Sequence, residues 1–389
     1  MKLGSKLLLK QLYKEYYFHN KEIVAREIME INQREFGCNR FEEETLIRHL
    51  AFENQNELAE FLVKTVPKDF YHSAAYYLFP EREMYEKEWL AADLIFDIDA
   101  DHLHEKDLRP SVFYLCEECG EISGEGGNPC GRCGGILKEV SWIGERELEV
   151  ARKETVRLVR ILREELGFSE EEIDVYFSGG RGFHVYVISE ESKKLTSEER
   201  VEITDYIRLT GYDLRYEDER RRTAQRISAI LGEEEERFLD ELMEDETKIF
   251  LTSTRGLESG KSMDLRASLN HLKTEIPPRI WDKMERYVVR REMVEIDPVV
   301  TTDTHRLIRS SMSLHGKTGL VKKPIDDLDA FDPLTDAVAL TEDEIRVKVE
   351  YSPQIRLGDR EFGPFHREVV SVPAYLAVFM VGRGVADVE

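Results

Sequence analysis

The sequence predicts an α+β fold, a mixed or antiparallel sheet flanked by helices. Three observations lead there. Residues 92–100 alternate apolar and acidic side chains in the manner of a strand. Residues 174–177 and 183–188 form two short apolar-rich runs joined by a glycine-rich turn, the pattern of a hairpin. Longer stretches carry apolar residues three and four positions apart, the spacing of one helix face.

In chain order, residues 1–90 read as mostly helical, through 2–18 and through 42–64 with Leu46, Leu50, Leu58 and Leu62. In the strand 92–100, Leu94, Phe96 and Ile98 share one face, and Asp93, Ile95, Asp97 and Asp99 share the other. Residues 147–166 read as a helix that stops at Gly167. The hairpin follows. Residues 196–291 read as helical and highly charged, entered through a Thr-x-x-Glu pattern at Thr196 and Glu199. Short strands are expected near 294–300 and 305–311, then a mixture of turns, strands and a last apolar segment. This places a first part of one domain at 1–190, an inserted helical subdomain at 191–291 and the second part at 292–389. No internal repeat or low-complexity linker interrupts it.

The chain has 389 residues, of which 79 are acidic and 55 basic, a formal charge of −24. An apolar fraction of 41% fits a folded chain with a sizeable core, not a disordered acidic one. The N-terminus holds only a three-residue apolar run, and the C-terminal apolar stretch is far shorter than the roughly 18–20 residues of a membrane span. A cytoplasmic protein with no membrane association is therefore expected. The acidic balance argues at first sight against nucleic acid, which selects a basic footprint. Locally the balance reverses: residues 305–323 hold Arg306, Arg309, Lys317, Lys322 and Lys323 without an acid, while residues 233–246 hold nine acids and one base. A second basic cluster comprises Arg220, Arg221, Arg222 and Arg226.

Four of five cysteines form the series Cys116-x2-Cys119-x10-Cys130-x2-Cys133. Paired Cys-x-x-Cys elements each bring two thiolates to a tetrahedral ion, and four thiolates close the site, so a structural zinc knuckle is expected at 112–140. Two disulfides are the alternative, disfavoured in a cytoplasmic chain. Cys38 reads as a small residue in a polar segment.

Three constellations carry chemistry. Asp97 and Asp99 point the same way from one strand, roughly 7 Å apart at the backbone, and adjacent carboxylates suit Mg²⁺ or Mn²⁺. A solvated strand end is the bland reading. In Ser178-Gly-Gly-Arg-Gly-Phe-His184 a glycine turn lets backbone N–H groups approach an anion, and Arg181 adds a fork of donors. A strand follows it, so it is not a Walker or Rossmann loop; a simple hairpin turn with a structural His184 is the bland reading. The third runs from Asp303-Thr-His-Arg-Leu-Ile-Arg309 into Ser313-Leu-His-Gly-Lys-Thr-Gly319, where Arg306, Arg309, His315 and Lys317 suit a triphosphate or a template strand, or else an ordinary solvated basic face. Its Gly-Lys-Thr is not a Walker A element, because Ser311 stands where the glycine is required.

In this order, from about Phe96 to Leu320, the three motifs and the cysteine knuckle resemble the catalytic small subunit of archaeal and eukaryotic DNA primases, in wording closest to the archaeal form. The resemblance implies the archaeo-eukaryotic primase fold and synthesis of short primers from nucleoside triphosphates on single-stranded DNA. It implies that Asp97 and Asp99 bind catalytic Mg²⁺ or Mn²⁺ with a third carboxylate, Asp297 in preference to Asp303. It gives Ser178, Arg181, His184, Arg309, His315 and Lys317 roles at the incoming nucleotide, and Cys116, Cys119, Cys130 and Cys133 a structural zinc. It also implies a large partner subunit carrying an iron–sulfur cluster, for which this chain has no spare cysteines. A primase-polymerase of the same fold acting in repair or end joining is the alternative.

Overall fold

The computed structural model describes residues 2–43, 45–100, 103, 112–116, 118–124, 126, 129–211 and 293–389. The chain divides into two compact units, Met1–Thr204 with Glu295–Glu389, and Asp205–Val294. The basic cluster at 220–226, the acidic run at 233–246 and most of the 191–291 stretch lie outside the described residues.

The first unit opens with α1 (Leu3–Arg26), β1 (Phe36–Asn39), β2 (Ile47–Leu50), α2 (Gln55–Thr65) and β3 (Asp69–Ser73). A helix through 42–64 is therefore corrected: the helix starts only at Gln55, where Asn54 accepts hydrogen bonds from the N–H groups of Asn56 and Glu57. Before it, Phe36 stacks on Phe70 at 5.7 Å and meets Phe52 at 5.0 Å, and this packing makes strands of a segment whose local spacing looked helical. Cys38 is fully buried in β1 rather than lying in a polar segment. The hairpin β4 (Ala75–Tyr77) and β5 (Trp89–Ala92) then leads into β6 (Leu94–Asp99).

β7 (Val112–Cys116), β8 (Ile122–Ser123) and β9 (Leu137–Ser141) form the small knuckle sheet. After α3 (Glu145–Glu164) come β10 (Ile173–Phe177) and β11 (Gly182–Val187), the expected hairpin, and α4 (Ser197–Arg208). Beyond the undescribed stretch lie α5 (Pro298–Thr302), β12 (Leu307–Arg309) and β13 (Lys323–Ile325). A second hairpin, β14 (Glu344–Ser352) with β17 (Phe365–Pro373), precedes the apolar helix α7 (Ala374–Arg383). Between them are α6 (Pro333–Asp336) and the short pair β15 (Ile355–Leu357) and β16 (Arg360–Phe362); β18 (Ala386–Val388) ends the chain against β14.

Two four-stranded sheets matter for the site, ordered β12-β3-β1-β2 and β13-β10-β11-β6. Every strand pairing among the described residues is antiparallel. The central strand β11 is buried along its whole length, as expected of a strand covered on both faces. One face, with Phe183, Val185 and Val187, lies on the side of α3, whose Leu148, Ala151, Leu158 and Leu162 are buried. The other face joins the first sheet in a cluster of Ala74, Ile95, Tyr186, Val300 and Ile308.

Candidate active site

β6 runs beside β11 with Asp97 opposite His184 and Asp99 opposite Gly182. Its alternation buries Leu94, Phe96 and Ile98 completely and leaves Asp97 and Asp99 half-buried on the face shared with His184 and Tyr186. Asp297 reaches the same place differently from the expectation. It is not on a strand, and no strand covers 294–300; it caps α5, accepting the Val299 N–H at 2.9 Å. The local reason is Pro298, which lacks a ladder donor and suits the first helical position, behind a strong capping residue. The Asp297 N–H donates to the Asp97 carbonyl at 2.9 Å, which fixes the segment beside β6. Burial, then the charges of Asp99 and Asp297, push the Asp97 carboxyl up to about 7, with Arg306 and Lys322 opposing. Asp303 turns elsewhere: its carboxylate accepts the His305 N–H at 3.0 Å, and its charge is felt by Tyr77.

The turn between β10 and β11 is held by Ser178, whose Oγ accepts the N–H groups of Gly180 and Gly182 at 3.2 and 3.3 Å. Gly179 has φ +78°, and a Cβ on Gly182 would lie 1.9 Å from the Ile98 carbonyl, so only glycine fits this close approach of two backbones. Arg181 reaches Ser141 Oγ at 3.1 Å. Against the turn sits the segment His315–Thr318: Thr318 Oγ1 donates to the Gly179 carbonyl at 2.6 Å, and a Cβ on Gly180 would lie 3.4 Å from His315 Nε2. Two motifs more than 130 residues apart thus form one surface beside Asp99, with Lys317 exposed on it.

His184 Nε2 lies 3.5 Å from Asp97, and its Nδ1 is buried with no hydrogen-bond partner. Burial, then nearby cations led by Lys322, hold His184 well below the usual histidine range; burial and Arg309 do the same for His315, so both rings are neutral near pH 7. Arg309 does not face open solvent. It pairs with Asp69 at 2.7 Å and donates to the Leu314 carbonyl, while Asp69 also accepts the Gly316 N–H at 2.8 Å. Lys322 is 1% exposed, its Nζ donating to Tyr186 Oη and the Arg309 carbonyl. The basic window is therefore partly interior framework. Asp69 was missed in the sequence because its surroundings read as helical; Lys322 was seen only as one charge in a run.

In the knuckle, β7 places Cys116 at a strand end. The ligand atoms of Cys116, Cys119, Cys130 and Cys133 all lie within 4.8 Å of one another. Cys116–Cys133 at 3.5 Å and Cys119–Cys130 at 3.7 Å are far longer than an S–S bond, so the cysteines are free thiols and not two disulfides. N–H groups of Cys119 and Glu118 hold the Cys116 thiol down to about 7. Four converging sulfurs with backbone donors suit a soft or borderline metal ion. Among the described residues no helix is long and apolar enough to cross a membrane.

The family profile described as DNA primase small subunit matches residues 148–327. The chain is 36% identical over 386 residues to the "DNA primase small subunit PriS" of Cenarchaeum symbiosum, covering 98% of each chain. It is 32% identical to the protein of that name from Nitrosopumilus maritimus, over 98% of each, and 33% identical to that from Archaeoglobus fulgidus, over 99% of each. Among solved structures, the polymerase domain of Mycobacterium tuberculosis Ligase D in complex with DNA is similar at a TM-score of 0.37 and 11% identity, covering 82% of this chain and 83% of that one.

Proposed function

The chain belongs to the DNA primase small-subunit family, and on that premise we propose that it is a DNA primase, a nucleotidyltransferase that joins nucleoside triphosphates on a single-stranded DNA template without a primer. The observation that carries this is the meeting of Asp97, Asp99 and Asp297 with the Ser178–Gly182 turn and the His315–Thr318 loop at one end of β6 and β11.

The three carboxylates fit divalent cations. They are hard oxygen donors, and Asp97 is held up to about 7 by burial and by its two acidic neighbours, a mutual repulsion that a bound cation removes. Asp97, Asp99 and Asp297 would hold Mg²⁺ or Mn²⁺, which when bound lowers the pKa of an attacking 3′-hydroxyl and stabilises departing pyrophosphate. The remaining work falls to the chain. Arg181, Lys317, Ser178 and neutral His184 and His315 bind and orient the triphosphate, offsetting negative charge that grows as the bond to pyrophosphate breaks. Arg309 acts from behind through Asp69, which holds the Gly316 N–H and so the shape of the loop. Cys116, Cys119, Cys130 and Cys133 hold Zn²⁺ in a closed, structural site, four sulfurs being its preferred donor set. As a small subunit, the chain works with a larger partner, read here as the large subunit with an iron–sulfur cluster.

The test is synthesis on single-stranded template with labelled nucleotides, Mg²⁺ or Mn²⁺, and no primer. New template-dependent oligomers are expected. Extension only from a supplied primer would overturn the reading in favour of a repair polymerase.

A further inference from the structure

One strongly basic side chain beside the turn and loop belongs to neither motif. Arg383 is the last residue of α7, 64 residues beyond Gly319. An arginine in a final helical turn ordinarily complements the helix dipole from the surface. This one reaches across to the knuckle sheet. Its Nη1 donates to the Ser141 carbonyl at 3.0 Å, while Arg181 Nη1 reaches the Ser141 hydroxyl at 3.1 Å, so two guanidiniums converge on one residue. The end of α7 lies directly on the basic loop: a Cβ on Gly382 would stand 2.5 Å from the Lys317 carbonyl. Arg383 Nε is buried with no hydrogen-bond partner.

The charges around Arg383 sharpen the point. The Arg181 guanidinium repels Arg383, and the carboxylates of Asp99 and Glu147 attract it. Burial, then the neighbouring Arg181, pull the Arg383 guanidinium down to about 10. Two guanidiniums brought together in a partly buried place repel each other, which Asp99 and Glu147 offset and an added anion would offset further. A polyanion placed on the Ser178–Gly182 turn, beside Lys317, lies within reach of both guanidiniums.

We propose that Arg383 is a second guanidinium of the triphosphate site, binding the polyphosphate of the incoming nucleotide together with Arg181. The proposal rests on the reading of the chain as a primase and extends its nucleotide site to the C-terminal helix. Because the fork of Arg is planar and multidentate while Lys offers a point charge, the two are not equivalent here.

The experiment compares wild type, Arg383→Lys and Arg383→Met in equilibrium binding of a nucleoside triphosphate and of the matching monophosphate, both with Mg²⁺. Melting curves establish that each variant is folded, and Arg383→Lys keeps the buried stem and charge if Arg383→Met does not fold. Loss of charge-assisted hydrogen bonds predicts triphosphate binding about 10- to 100-fold weaker in Arg383→Met, a smaller loss in Arg383→Lys, and monophosphate binding within about two-fold of wild type. Unchanged triphosphate binding in the variants, or equal weakening of both ligands, overturns the proposal. A wild-type chain that binds no triphosphate overturns the primase reading as well, which separates the two failures.

Discussion

Replacing Asp97 by Asn tests the electrostatic logic of the carboxylate cluster. The usual value for Asp is 3.8, and in the fold Asp97 stands at about 7. A folded-state pKa raised above the unfolded one favours the protonated acid. Its contribution to stability is therefore full below about pH 4 and is lost as pH rises through about 7. The shift of about 3 units corresponds to about 4 kcal/mol at 1.36 kcal/mol per unit. The side chain retains 23% of its surface, so solvent screening trims this, and about 2 kcal/mol is a fair lower bound. Asn has nearly the shape of the protonated acid and never ionises. Denaturant melts of the chain without added Mg²⁺ or Mn²⁺ should therefore find Asp97→Asn more stable than wild type by about 2–4 kcal/mol at pH 8, the difference closing by pH 4. At pH 8, Mg²⁺ or Mn²⁺ should raise the stability of wild type more than that of the variant. Synthesis should be abolished in the variant throughout. A variant no more stable than wild type at pH 8 would refute the idea that Asp97 is held against its neighbours' charge.

Three further outcomes are expected. Asp297→Asn should lower template-dependent synthesis more than about 100-fold, while Asp303→Asn, whose carboxylate caps the His305 turn, should have a small effect; the reverse ranking would move the third carboxylate to Asp303. Gly182→Ala should push β11 off β6 at Asp99, since its Cβ falls 1.9 Å from the Ile98 carbonyl, costing at least about 1–3 kcal/mol of stability and nearly all activity. Wild-type melting behaviour in that variant would contradict the close approach. Metal analysis should find about one zinc per chain, and its removal by a chelator should lower the melting temperature more than the rate of synthesis; metal content below one-half equivalent in freshly purified protein would count against the site.

The Asp97–Asp99 strand, the hairpin and the knuckle were legible because each is written in consecutive residues. A period of two puts Asp97 beside Asp99, glycines permit the turn at Ser178–Gly182, and paired Cys-x-x-Cys elements bring four sulfurs together. The N-terminal strands were not legible, because Leu46 and Leu50 lie four apart by chance and the aromatic stack of Phe36 on Phe70 outweighs that spacing. Nor was the form of Asp297, where a proline turned an expected strand into a helix cap. The sequence by itself determined the local placement of the candidate residues: two aspartates on one strand face, a glycine turn and four clustered sulfurs. Only tertiary structure decided which of the basic residues serve the interior framework, since Arg309 is taken by Asp69 and Lys322 is sealed between the sheets. It also added Arg383, which no spacing connects to Arg181. The physical reason is range: backbone periodicity and turn chemistry act over a few residues, whereas pairing and burial of charge depend on what the rest of the chain brings alongside.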